Sequence, residues 1–211
     1  VVPGRLRQPA MSGLSRRRWL GAATALATAS WWRPAHAARE LTTAERAQLA
    51  AGAQVRRRVD FQNRSGDYVG GLSYQRIASP PQSVVERLQH VAAVRAVLPR
   101  VISARRLPAP ADQHRFELVQ GTSLYSARYS VIALRPKPQA TEVRFWLDPR
   151  EEHEIDDVWG FFRAQPFQGG SMISVGVALN LGEGIIRWLF EERIVDIMLD
   201  MPRRIRDYVD A

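Results

Sequence analysis

The apolar positions of this chain fall into two periods, and the change between them divides it into elements. From about Glu183 to Val209, Ile186, Phe190, Ile194, Ile197, Met201, Ile205 and Tyr208 recur at steps of three or four. That spacing predicts one long amphipathic helix, with Ile185, Leu189, Met198 and Val209 widening its apolar stripe. Arg187, Glu191, Glu192, Arg193, Asp196, Arg203, Arg204 and Asp207 are assigned mostly to the opposite face. Pro202 falls inside this helix, where it removes a backbone hydrogen bond and crowds the carbonyl of Met198, so a kink or a division is expected near Met201.

Ahead of that helix the period is two. Ser171–Leu181 alternates Ile173, Val175, Val177 and Leu179, and Thr141–Leu147 alternates Val143, Phe145 and Leu147 against Glu142 and Arg144. Strands are also expected at 55–61, Tyr68–Ala78 (bent at Gly70-Gly71), Val101–Leu107, Arg115–Gln120, Tyr125–Arg135 and Asp157–Arg163. Turn residues at 63–67, 108–112, 121–123 and 136–138 link them over a few residues each. Links that short make an antiparallel meander, because parallel strands need long crossovers. Three short helices are expected earlier: Ala44–Ala51, capped by Thr42 or Thr43; one opened by Pro81; and a turn over Val94–Leu98. The pattern describes an α+β domain whose sheet supplies an apolar partner for the last helix.

Composition narrows the chemistry. The 211 residues contain no cysteine, which excludes disulfides, thiolate metal sites and cysteine nucleophiles. The formal charge of +9 is concentrated at the start: residues 1–37 hold six arginines and no acidic residue. Without them, 24 basic groups face 21 acidic ones, a net charge of +3, so a nucleic-acid partner is not expected. The leading segment has the order of an export signal. Arg16 and Arg17 in Ser15-Arg16-Arg17-Arg18-Trp19-Leu20 resemble a twin-arginine motif; the run 19–32 is mildly apolar. Ala35-His36-Ala37 reads as an A-x-A cleavage site. The expected division is therefore 1–37 as upstream residues and signal peptide, and 38–211 as the mature domain. The expected address is periplasmic or secreted, with the twin-arginine export machinery as a partner.

The order of elements, a strand pair, two small helices, a run of antiparallel strands and one long final helix, resembles the helix-grip domains of the START-related (SRPBCC) superfamily. Ala78-Ser79-Pro80-Pro81-Gln82-Ser83-Val84-Val85-Glu86-Arg87-Leu88 is similar to the start of that family's first helix after the strand pair. Val97-Leu98-Pro99-Arg100-Val101 is similar to its exit into a strand, and Leu41–Gly52 to leaders of bacterial members. The superfamily includes polyketide cyclase/dehydrase-like, coenzyme Q-binding-like and lipid-transfer domains. The resemblance implies a curved sheet wrapped around the C-terminal helix, with an apolar ligand cavity between them. It implies a binding or carrier protein for a lipid, isoprenoid or polyketide-like molecule, with transient membrane contact left open.

Alternation places Tyr129, Phe145, Val175 and Val177 on the inward face, opposite Phe190 and Ile194 of the helix, as the expected cavity residues. Strand 157–163 carries aromatics on both faces, so its inward side is left open. The enzyme alternative would use Tyr129, Tyr74 or His114 as acid/base groups. A third alternative is an interaction module whose cavity is filled by its own side chains. No cofactor or metal is expected: the acidic run Glu151–Asp157 lacks both EF-hand and H-E-x-x-H spacing and reads as a solvated loop. G-x-S-x-G is not met at Gly71-Leu72-Ser73 or Gly169-Gly170-Ser171. No catalytic residue is assigned.

Overall fold

The computed structural model describes residues 40–63, 66–111, 113–122, 126–134, 140–182 and 185–211, the side chains of 61–63 and 185–191 excepted. All of these fall in one unit of the chain, Pro34–Ala211. Arg16, Arg17, Ala35 and Ala37, the residues expected to form an export signal, lie outside the described residues, as do the side chains of Ile186 and Phe190.

The elements run α1 (Thr43–Ala50), β1 (Val55–Arg58), β2 (Phe61–Asn63), β3 (Gly66–Ile77), α2 (Pro81–Leu88), α3 (Val91–Val97), β4 (Val101–Leu107), β5 (Gln113–Gly121), β6 (Ser126–Leu134), β7 (Glu142–Leu147), β8 (Asp157–Phe167), β9 (Gly170–Asn180), α4 (Ile185–Leu199) and α5 (Met201–Val209). The expected strand over 55–61 is split in two. Every strand pairing is antiparallel, in the order β1-β3-β9-β8-β7-β6-β5-β4, with β2 pairing β3 separately. The meander β4 to β9 joins strands adjacent in sequence, and the first strands close onto β9 through β3. This is the expected α+β helix-grip fold.

Local chemistry sets the boundaries. Thr42 accepts the Glu45 N–H at 3.2 Å while Glu45 Oε2 accepts the Thr42 N–H at 2.8 Å, a complete capping box at the start of α1. Pro81 opens α2, where a missing N–H costs nothing. Gly70 and Gly71 take φ of +154° and +156°, and a Cβ on either would run into a neighbouring strand's carbonyl, that of Val177 or Arg57. β3 therefore comes close to both neighbours at its bend, and Leu199 of α4 packs over Gly71.

The expected single C-terminal helix is divided. α4 ends at Leu199 and α5 begins at Met201, with Pro202 in its first turn. Proline has no N–H to continue the ladder of α4, but its fixed φ suits a helix start. The Gln54 side chain donates to the Leu199 carbonyl at 2.6 Å, satisfying one acceptor freed at the break. Asp200 collects Arg56 at 2.7 Å and Arg203 at 2.6 Å there. The stripe is also rotated. Val195, Met198, Leu199, Met201, Ile205 and Val209 are buried, whereas Ile194, Ile197 and Tyr208 are only partly so. The packed core lies between α5 and the strands β3, β8 and β9, around Ile173, Val175, Ala164 and Ile205, each fully buried.

Candidate functional site: an apolar cavity between sheet and helix

Beyond that packed region the sheet and α4 separate, leaving a cavity of about 270 Å³. Its floor is the inward face of β5 to β9. Phe116 and Leu118 come from β5, Tyr129 and Val131 from β6, Val143 and Phe145 from β7, Val158 and Phe162 from β8, and Val177 and Leu179 from β9. α3 closes one side with Ala93, Val94 and Val97; Ile194, Ile197 and Met198 of α4 close the other. The described lining is overwhelmingly apolar, with polar side chains among the described residues at Arg100, Gln120, Thr122, Tyr129 and Arg193. Concave, mostly apolar surfaces with a few placed polar groups are characteristic of small-molecule sites.

Of the six expected cavity residues, Tyr129, Phe145, Val177 and Ile194 line this space. Val175 shares the inward face and is fully buried in the packed core, but it is not among the residues that line the cavity. Phe190 lies in α4, and its side chain is outside the described residues. The open question in β8 is answered by Val158 and Phe162, which face inward. Trp159 packs outside against Tyr68, with ring centroids 6.3 Å apart, and Arg163 lies 5.3 Å from the Phe161 ring. Arg193, assigned by periodicity to the solvent face, is exposed and also borders the cavity, one turn before Ile197 on α4. Phe116 was legible in the alternation of His114, Phe116 and Leu118; Arg100, Gln120 and Thr122 carry no sequence signal.

One polar relay enters the cavity. The Tyr129 hydroxyl donates to Gln120 Oε1, and Gln120 Nε2 donates to the Pro99 carbonyl at 2.6 Å. Burial pushes the Tyr129 hydroxyl well above its ordinary pKa, so it remains a neutral donor throughout the physiological range. Phe145 and Phe162 pack with ring centroids 5.2 Å apart across β7 and β8, giving one wall an aromatic surface.

The other acid/base candidates lie elsewhere. The Tyr74 ring sits 5.6 Å from the Arg57 guanidinium, which is itself paired with Glu45 at 2.6 Å, and does not line the cavity. His114 is buried, stacked on Phe116 at 6.0 Å, and is likewise absent from the lining. The acidic run after β7 serves structure. Buried Asp148 accepts Arg115 at 2.5 Å and Arg150 at 2.8 Å, Glu151 pairs with Arg115, and His153 meets the Asp148 carbonyl at 2.7 Å. No group of acidic and histidine side chains among the described residues is arranged to hold a metal. Nor is any described helix long and apolar enough to cross a membrane.

No protein-family model matches this chain, and no curated protein matches it by sequence. Solved structures do. A STAR-related lipid transfer protein from Xanthomonas axonopodis superposes with a TM-score of 0.58 at 15% identity, over 73% of this chain and 99% of that one. The Zhui aromatase/cyclase from Streptomyces sp. R1128 gives 0.54 at 10% identity, over 74% and 94%. A protein from Thermus thermophilus gives 0.54 at 16% identity, over 74% and 96%. At these identities the likeness is one of fold, and it covers nearly the whole of each matched chain: the protein has a helix-grip architecture like that of the STAR-related lipid transfer protein and the Zhui aromatase/cyclase.

Proposed function

We propose that this protein binds and carries a hydrophobic small molecule, a lipid, isoprenoid or polyketide-like compound, in the cavity between β5–β9 and α4. The observation that carries the reading is the cavity itself: about 270 Å³ of open space bounded almost wholly by apolar side chains. Apolar ligand surface moved into such a space gains about 25 cal/mol per Å² removed from water. Tyr129 and Gln120 offer a hydroxyl and an amide to orient one polar group. The fold is that of proteins described as lipid-transfer and aromatase/cyclase proteins, which is consistent with either carriage or chemistry. Carriage is favoured because Tyr129 is the one acid/base candidate on the lining, and its raised pKa suits it to donating a hydrogen bond rather than removing a proton. A self-filled interaction module is the weaker alternative, given the open space.

The test is titration of the purified protein with a neutral fluorescent hydrophobic probe, repeated with Val131→Trp, which fills the cavity from its floor. Saturable uptake by the parent and its loss in the variant support the reading; equal uptake by both refutes it. A ligand recovered chemically unchanged supports carriage over catalysis.

We further propose that residues 1–37 direct export by the twin-arginine route, with cleavage after Ala37, and that ligand exchange involves transient membrane contact. The paired Arg16-Arg17 and the A-x-A site support the export reading. Fractionation of cells expressing the chain, with and without Arg16→Lys and Arg17→Lys, tests it: export of the double variant at the parent level refutes the route.

A further inference from the structure

Among the described lining residues, Arg100, Thr122 and Arg193 are exposed to solvent, and the others are buried or half-buried. The described rim of the cavity is therefore polar and doubly cationic, while its interior is apolar apart from Tyr129 and Gln120. Among the described residues, no carboxylate lines it.

The two rim arginines differ from most others in the domain. Arg57 is neutralised by Glu45, Arg115 by Asp148 and Glu151, Arg163 by Glu142, and Arg203 by Asp200. Neither Arg100 nor Arg193 has an ion-pair partner among the described residues. Arg100 is also held in place. Its φ of +54° is one that residues with a Cβ seldom adopt, its carbonyl accepts the Gly121 N–H at 2.9 Å, and the pairing of β4 with β5 slips between Val101 and Ser103 immediately after it. Bulges of this kind re-aim side chains beside binding sites.

Cations beside a low-dielectric cavity concentrate their field at the opening and favour an anion there. A guanidinium matches a carboxylate or phosphate through paired N–H donors. The size of the cavity adds a second restriction. About 270 Å³ lies just under the usual range of about 300–1,000 Å³ for ligand sites, room for one chain or a small ring system rather than two acyl chains. We infer that the ligand is an amphiphile with one apolar tail and a single anionic head, the tail inside and the head, carboxylate or phosphate monoester, between Arg100 and Arg193. This rests on the carrier reading and narrows it to a ligand class.

The test is displacement of a neutral fluorescent probe from the full-length protein by tetradecanoate, tetradecyl phosphate and tetradecan-1-ol, which share a tail and differ in the head. The expected result is that one or both anions bind about tenfold or more tighter than the alcohol, the scale of a charge-assisted pair. The advantage shrinks at high salt and disappears in Arg100→Gln/Arg193→Gln; Arg100→Lys/Arg193→Lys retains it. Preference for tetradecanoate alone marks a carboxylate ligand, and preference for tetradecyl phosphate alone marks a phosphate monoester. If the alcohol binds as tightly as both anions, or if the Gln variant keeps the preference, the inference is overturned while the carrier reading stands. If neither the probe nor any of the three competitors binds, both are overturned.

Discussion

The ring of Phe145 lies over the backbone of Gly160, the residue paired with it across β7 and β8, so that a Cβ at 160 would sit 2.5 Å from Phe145 Cζ. The glycine leaves room for the aromatic ring that forms one wall of the cavity, an arrangement in which a cross-strand aromatic covers a glycine's bare backbone. Gly160→Ala must displace that ring and also meets the Gly176 carbonyl, which belongs to a paired strand and cannot move independently. We expect a loss of about 1–3 kcal/mol, the usual cost of overpacking, read as a lower denaturation midpoint. Probe uptake should fall as well, because the displaced ring moves along the cavity wall.

Ile205 and Ile194 separate the packed end of the C-terminal helices from the open end. Ile205 is fully buried in the core, whereas Ile194 is half-buried on the cavity lining. Ile205→Ala should cost about 2–5 kcal/mol and leave probe affinity little changed. Ile194→Ala should cost less stability and alter probe affinity more. Chemical denaturation and probe titration of the two variants side by side check this, and equal effects on both readouts would contradict the division.

Asp148 gives the domain a defined acid response. Burial opposes its charge, but hydrogen bonds from Arg150 and Arg115 outweigh that and hold its pKa at about 2, below the ordinary 3.8. Because the folded value is lowered, the stabilisation is complete above about pH 4 and is lost as pH falls through 4 towards 2. The shift corresponds to about 2 kcal/mol. Denaturation midpoints measured from pH 6 to 2 should show this loss, and Asp148→Asn should flatten the profile while lowering stability at pH 6.

Tyr129→Phe removes the hydroxyl that donates to Gln120. The expected cost is about 1 kcal/mol, that of one hydrogen bond, with binding of a wholly apolar probe retained. Because burial keeps the hydroxyl protonated, probe affinity of the parent should show no transition between pH 6 and 9 arising from Tyr129. Calorimetric melting and a pH series of titrations check both statements.

Much of this architecture is written locally in the sequence. The period-two runs of 141–147 and 171–181 mark strands and their inward faces because a pleated strand alternates sides, and Phe145 and Val177 fall on the cavity for that reason, as Tyr129 does in β6. What depends on long-range fit was less legible. Val175 and Val177 share the same alternation and both belong to the core, yet only Val177 also lines the cavity, a difference set by packing around them and not by local pattern. Phe162 and Trp159 look alike in a strand with aromatics on both faces; pairing with β7 and β9 decides which points inward. Arg193 is exposed, as its periodicity indicates, and it borders the cavity because Ile197, one turn later on the same side of α4, lines it. Arg100 has no periodic signature, because its position comes from a left-handed backbone and a pairing slip.

The measurement that bears most directly on the central claim is native mass spectrometry of the protein purified from its own cells, followed by extraction and identification of whatever is bound. The account predicts a complex heavier than the polypeptide by one hydrophobic molecule, absent from Val131→Trp. A bare polypeptide mass, together with failure to take up a neutral hydrophobic probe, would contradict it.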